Sequence, residues 1–212
     1  MQKVISTSAD GAKSVFAADL DGDNDNDIIS ASFFDDKIAW HKNSGGGNFG
    51  TEQIVSSFAD GANTVFACDL DGDFDIDLIS ATTNYILKHE NLGNGNFGIQ
   101  QLIASATNIT LVHAADLDGD LDNDVIYSNT YISTISWCEN DGIGNFSSPQ
   151  TIFSNNGANS VFAIDIDGDN DNDLVYGAYI ASTNSNIIAW FENDGTGNFG
   201  SQQVISTFVN DV

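Results

Sequence analysis

Asp19-Leu20-Asp21-Gly22-Asp23-Asn24-Asp25-Asn26-Asp27 places five carboxylates at alternate positions around one glycine, and the chain repeats the pattern three more times. The copies begin at Asp69, Asp116 and Asp165, at offsets of 50, 47 and 49 residues, with Gly72, Gly119 and Gly168 in the place of Gly22. A period of this length dictates architecture before local propensity does. Ahead of each copy stands a short apolar run: Val15-Phe16-Ala17, Val65-Phe66-Ala67, Val112-His113-Ala114 and Val161-Phe162-Ala163. Behind each comes another, Ile28-Ile29, Leu78-Ile79, Val125-Ile126 and Leu174-Val175. A third run follows, such as Ile38-Ala39-Trp40 or Ile188-Ala189-Trp190. A Gly-rich turn (Gly45-Gly46-Gly47-Asn48-Phe49-Gly50) then leads to a fourth, Gln53-Ile54-Val55.

These runs are short, β-branched or aromatic, and bounded by Gly, Asn, Asp and Ser, which is the pattern of strands. None has the length of a useful helix, and the single proline leaves the ladders intact. Four strands per repeat of about 50 residues is the plan of a propeller blade. The expectation is an all-β β-propeller of four four-stranded blades, residues 1–212 forming one domain, either a closed four-blade ring or part of a larger propeller. Nine-residue β-roll repeats and leucine-rich repeats fail on period. The chain also opens with Val4-Ile5-Ser6-Thr7 and closes with the near copy Val204-Ile205-Ser206-Thr207. Counting both as fourth strands gives seventeen, one more than four blades need, so self-association through the terminal strands is expected.

Of 212 residues, 31 are acidic and 5 are lysine, with no arginine, for a net charge of −26. Such a chain repels nucleic acid and anionic lipid, and neither is expected as a partner. No run approaches the roughly 18 apolar residues of a membrane helix. The start has no apolar signal core. Either the chain stays inside the cell or a signal segment has been removed from this form of it; the second is the expectation, with a secreted or cell-surface location. Two cysteines, Cys68 and Cys138, are too few for a disulfide framework. Cys68 stands where other repeats have Ala18, Ala115 and Ile164, and reads as a buried free thiol.

Twenty of the acids lie in the four loops. Two carboxylates about 4 Å apart repel by roughly 4 kcal/mol at an effective dielectric near 20. Crowding several without a cation would consume a domain's usual stability of about 5–15 kcal/mol. Hard oxygen ligands without nearby His or Cys favour Ca²⁺ over zinc or copper, and Mg²⁺ resists so much dehydration. An EF-hand is excluded, since Ser30, Ser80, Tyr127 and Tyr176 hold the twelfth place instead of Glu. Four Ca²⁺ ions are expected, one per repeat, on Asp19, Asp21, Asp23, Asp25 and Asp27; Asp69, Asp71, Asp73, Asp75 and Asp77; Asp116, Asp118, Asp120, Asp122 and Asp124; and Asp165, Asp167, Asp169, Asp171 and Asp173.

The motif D-L-D-G-D-x-D-x-D, two apolar residues, then G-N-F-G resembles the FG-GAP or VCBS repeat family. That family includes the head propeller of integrin α subunits, certain fungal lectins and many secreted bacterial proteins. The resemblance implies side-chain ligands from the first, third, fifth and ninth loop residues and a main-chain oxygen from the seventh, here Asp25 in the first loop. Family propellers usually have seven or eight blades, so four is a departure.

No His stands with a nucleophile and no acid pair lies apart from the loops, so no catalytic constellation exists and the chain is not expected to be an enzyme. Trp40, Trp137 and Trp190 share one repeat position, with Lys88 in the remaining repeat, and read as packing between blades. The Asn-Phe pairs, such as Asn48-Phe49, read as hairpin turns with a buried ring. What differs between repeats is the connection from second to third strand, which brings Phe33, Phe34, Tyr85, Tyr131 and Tyr179 among Asn, Ser and Thr. That mixture suits sugar or protein contact. The functional expectation is a calcium-stabilised extracellular recognition or adhesion module binding protein or carbohydrate on this face. A structural assembly unit, or the non-catalytic propeller of a polysaccharide-degrading protein, is the alternative.

Overall fold

A computed structural model describes residues 3–154, 158–180 and 182–209. They form sixteen strands in four antiparallel sheets of four, and no helix among them is long and apolar enough to cross a membrane. The first sheet is β1 (Ala12–Ala18), β2 (Asp27–Ser32), β3 (Lys37–His41) and β4 (Gln53–Ser56), paired in chain order. The second is β5 (Thr64–Cys68), β6 (Asp77–Ala81), β7 (Tyr85–His89) and β8 (Gln101–Ser105). The third is β9 (Ile109–Ala115), β10 (Asp124–Asn129), β11 (Thr134–Cys138) and β12 (Gln150–Ser154). The fourth is β13 (Ala158–Ile164), β14 (Asp173–Ile180), β15 (Ser185–Phe191) and β16 (Gln203–Val209). Apart from Val4–Thr7, every apolar run singled out in the sequence falls inside the expected strand, and each sheet is one propeller-type blade.

The chain packs as two compact units, Met1–Thr107 and Asn108–Val212, each holding two blades. In the first unit Leu20, Ile29, Ile38 and Trp40 of one blade meet Val65, Ala67 and Leu78 of the next. In the second, Leu117, Ile126, Ile135 and Trp137 meet Val161, Ala163, Leu174 and Tyr176. Interleaving blades bury the middle strands on both faces: β2, β3, β6, β10 and β11 are buried along nearly their whole length. That is why these strands read as continuous apolar runs rather than alternating ones. Outer strands such as β4 and β8 stay largely exposed.

The expected seventeenth strand is a correction. Val204–Thr207 lies in β16, laddered to β15, but Val4–Thr7 forms no strand. Its side-chain pattern copies a fourth strand, yet a strand requires an edge offering backbone N–H and C=O groups. Residues 3–8 are held through side chains instead: Lys3 donates to the Gly47 carbonyl, and Ser8 Oγ donates to Glu52 at 2.7 Å.

In each antiparallel blade the connection between first and second strands and the Gly-rich hairpin between third and fourth lie at one end. The connection between second and third strands lies at the other. The aspartate loops and the aromatic connections therefore occupy opposite ends of every blade.

Candidate metal centre

Each aspartate loop joins the first strand of its blade to the second and is closed by one residue pair: Ala18↔Asp27, Cys68↔Asp77, Ala115↔Asp124 and Ile164↔Asp173. The backbone turns left-handed twice in each. The fourth-place glycine does so first (φ 75° at Gly22, 75° at Gly72, 80° at Gly119, 89° at Gly168). The sixth-place residue does so next, at Asn24, Phe74, Leu121 and Asn170 (φ 68–77°). Glycine makes the first turn without strain, whereas Phe74 and Leu121 adopt a conformation that bulky side chains disfavour.

The five carboxylates divide into separate tasks. The first folds the loop: Asp19 accepts from the N–H groups of Gly22 (2.9 Å) and Asp23 (3.1 Å) on one oxygen and Asn24 (2.7 Å) on the other. Asp69, Asp116 and Asp165 hold the corresponding glycine and sixth-place N–H groups. The fifth accepts the N–H of the seventh, Asp23 from Asp25 at 3.0 Å and Asp120 from Asp122 at 2.9 Å. The ninth is a brace, fully buried in all four loops. Asp124 takes the N–H of Leu117 at 2.9 Å on one oxygen and that of Asn140 at 2.8 Å on the other. Asp27, Asp77 and Asp173 do the same with Leu20 and Asn43, Leu70 and Asn91, and Ile166 and Asn193.

The third carboxylate keeps one oxygen unpaired in three of the four loops. Asp21 Oδ1, Asp71 Oδ1 and Asp118 Oδ1 are buried with no hydrogen-bond partner. In the fourth loop Asp167 is exposed. A buried carboxylate oxygen left unpaired is costly, and a cation is the partner that satisfies it. Oxygens of the first, third and ninth residues come within 4.8 Å of one another in every loop: Asp19, Asp21 and Asp27; Asp69, Asp71 and Asp77; Asp116, Asp118 and Asp124; Asp165, Asp167 and Asp173. An all-carboxylate group of this kind fits a hard divalent ion.

The fifth and seventh side chains lie outside these groups of three. Those of Asp25, Asp75, Asp122 and Asp171 sit over the hairpin glycines Gly45, Gly93, Gly142 and Gly195, all left-handed. A Cβ at Gly142 or Gly195 would collide with the carboxylate above it.

Burial pushes Asp27, Asp77 and Asp124 up. Desolvation, reinforced by neighbouring carboxylates, raises Asp77 and Asp124 to about 7, against the hydrogen bonds they accept. Asp27 is raised for the same reason. Asp118 is raised by desolvation and then by Asp120, with Glu139 adding to it. In the first loop Asp23 is lowered instead, by the Asp25 N–H and by Lys42.

The structure also shows what the sequence reading missed. Asn43, Asn91, Asn140 and Asn193, each opening the hairpin, tie it to the loop through the ninth aspartate and through a side-chain bond to the eighth-place carbonyl. Asn91 further donates to Leu20 O at 2.9 Å and Asn193 to Leu117 O at 2.7 Å, linking blade to blade within each unit. The recurrence of Asn two residues before glycine was the available signal. Trp40 and Trp137 are buried and cover the hairpin glycines Gly95 and Gly197 of the next blade, as packing predicts. Phe97 and Phe199 are half-buried rather than buried, each packed against a core from its rim. Both cysteines are free, Cys138 buried and Cys68 only half-buried.

At the opposite ends of the blades, Phe34 (71%) and Tyr131 (77%) are the most exposed of the aromatics proposed for ligand contact, with Tyr85 and Tyr179 about half exposed. Phe33 and Phe34 meet edge to face at 5.5 Å, and Lys13 Nζ stands 5.5 Å from the Phe33 ring. Tyr179 donates to Asn184 at 3.0 Å.

A family model described as an FG-GAP-like repeat matches residues 19–80, 69–127 and 116–176. No curated protein sequence gives a significant match. Among solved structures, the chain is similar to an Agrocybe aegerita lectin that recognises non-reducing terminal N-acetylglucosamine, with TM-score 0.64 and 24% identity over 90% of this chain and 51% of the lectin. It is similar to the Vibrio cholerae biofilm matrix protein Bap1, with TM-score 0.57 and 22% identity over 93% of this chain and 28% of that one. It is similar as well to BBS1N in complex with ARL6DN, with TM-score 0.61 and 12% identity over 97% of this chain and 56% of that one. The chain thus spans little more than half of these proteins at most, and at such identities the likeness is one of fold. The threefold match from residue 19 to residue 176, on the same loops and strands the structure displays, makes this chain a member of the FG-GAP-like repeat family.

Proposed function

We propose that this chain is a calcium-stabilised recognition module acting outside the cell, binding a carbohydrate or protein ligand through its aromatic loop end and carrying out no catalysis. The observation that carries the metal reading is the third-place oxygen: Asp21, Asp71 and Asp118 each keep one buried oxygen that the loop's own N–H groups leave unpaired. Asp19, Asp21 and Asp27, with their counterparts, would hold the ion, which would supply the positive charge that lets these carboxylates share one site. Millimolar calcium outside cells fills such sites, whereas a resting cytosol does not. Exposed Phe34, Tyr85, Tyr131 and Tyr179 among polar residues support the ligand face. The fold similarity to a lectin and a biofilm matrix protein favours recognition or adhesion. Ser80 and His89 form a hydrogen-bonded pair at 2.8 Å, but both are fully buried within their blade, where no substrate reaches them.

A glycan array probed in calcium and in chelator tests the reading. Binding that requires calcium and falls on Tyr131→Ala supports it; a protein that binds no glycan points to a protein ligand. The second reading, an assembly unit, is favoured by β16, an outer strand exposing Val204 (54%), Ile205 (58%) and Phe208 (67%). Light scattering on the full chain and on a variant lacking residues 3–8 separates the two, because assembly through terminal segments changes the mass and simple recognition does not.

A further inference from the structure

All five lysines of the chain lie between residues 3 and 88, and two of them end on aspartate loops. Lys42 pairs with Asp21 Oδ2 and stands 3.1 Å from Asp23 Oδ2. Lys88 stands 3.2 Å from Asp71 Oδ2 and 3.9 Å from Glu90. Both ammonium groups therefore sit on the third-place carboxylate, the one whose other oxygen the loop leaves free. Strand register shows that each lysine is a substitution in the repeat. His41, His89, Cys138 and Phe191 pair equivalently with the second strands, so the next residue is Lys42 in the first blade and Glu90, Glu139 and Glu192 in the others. One place earlier, Lys88 stands where the other blades have Trp40, Trp137 and Trp190. Residues 108–212 contain no lysine or arginine at all.

We propose that the four cation sites form two classes: a tight pair in the loops of Asp116–Asp124 and Asp165–Asp173, and a weak pair in the loops of Asp19–Asp27 and Asp69–Asp77, where a resident lysine competes with the ion. The proposal rests on the calcium reading above and adds its regulation. Charge count and rigidity of the ligand set tune calcium affinity over several orders of magnitude. The first loop carries a lysine where the third and fourth carry a glutamate, and the second carries an additional lysine beside its glutamate. A divalent ion about 5 Å from an ammonium loses about tenfold in affinity even at the dielectric of water, and more where water is excluded. The two weak loops differ in mechanism. The Lys42 side chain is 39% exposed and can swing into solvent as the ion enters, whereas the Lys88 side chain is 3% exposed and stays beside it. The unit of residues 108–212 then holds its calcium as a permanent brace, while that of residues 1–107 fills and empties as calcium varies.

Calorimetric titration of the full chain with calcium, after chelator removal, tests this. The expected isotherm has two sites about tenfold or more tighter than the other two. Lys42→Glu and Lys88→Met should each move one site from the weak class towards the tight one. Asp118→Asn should delete a tight site and Asp21→Asn a weak one. Four equivalent sites unmoved by either lysine variant would overturn the proposal while leaving the calcium reading intact. No calcium uptake at any concentration would overturn both.

Discussion

Replacing Asp124 and Asp118 separately by alanine distinguishes a carboxylate that builds the loop from one that waits for an ion. Asp124 is fully buried and satisfies two backbone donors, Leu117 at 2.9 Å and Asn140 at 2.8 Å. Alanine leaves both N–H groups buried and unpaired, at about 1–3 kcal/mol each, so Asp124→Ala should cost about 2–6 kcal/mol. Relief from burying the carboxylate itself, which desolvation opposes, places the result in the lower half of that range. The loss should appear in chelator as well as in calcium, because the brace exists without an ion. Asp118 behaves oppositely. Its Oδ1 has no partner, and Asp120 and Glu139 repel it. Asp118→Ala in chelator should leave stability unchanged or raise it by about 1 kcal/mol. In calcium at a hundred times the dissociation constant it should forfeit the roughly 2.7 kcal/mol that one filled site supplies. Urea denaturation of wild type and both variants, with and without chelator, gives the four differences. If Asp124→Ala is as stable as wild type in chelator, or Asp118→Ala loses as much there as in calcium, the division of labour is wrong.

Thermal melting of the wild type should rise in calcium and fall in chelator, and a midpoint indifferent to both would remove calcium from the account. The pH response should reverse with the ion. In chelator the folded protein favours protonated Asp77 and Asp124, raised to about 7 against an ordinary value of 3.8, so stability is highest below about pH 4 from these groups and declines as pH rises through 7. In calcium, protons compete with the ion and the same span of pH should stabilise; melting scans at pH 5 and 8 in both conditions check the sign. Phe74→Asn and Leu121→Asn should each raise stability by about 0.5–1 kcal/mol, measured by denaturation, because Asn already holds the left-handed sixth place at Asn24 and Asn170.

The architecture was legible because repetition aligned weak signals: any one apolar run is ambiguous, but four copies in register fix strand, turn and loop together. The loops were legible as candidate cation sites from charge crowding alone, and the structure brings three carboxylates of each together. Their internal division was not, since five aspartates in a row look alike until the backbone assigns partners. Asp27, Asp77, Asp124 and Asp173 act as braces only because the hairpin asparagine comes back over the loop, a contact 14 to 20 residues away in the chain. Lys88 was visible as the gap in a tryptophan row, but its destination on Asp71 depends on side-chain reach across the blade. Val4–Thr7 misled for the opposite reason: its pattern is that of β16, but pattern does not supply a neighbouring edge.

Diffraction from crystals grown in saturating calcium, collected to locate the ions by their anomalous scattering, tests the central claim most directly. The account predicts one ion per aspartate loop, with Asp21 Oδ1, Asp71 Oδ1 and Asp118 Oδ1 among its ligands at about 2.3–2.6 Å. Loops that keep these three oxygens unpaired in saturating calcium, with no ion between the first, third and ninth carboxylates, would contradict it.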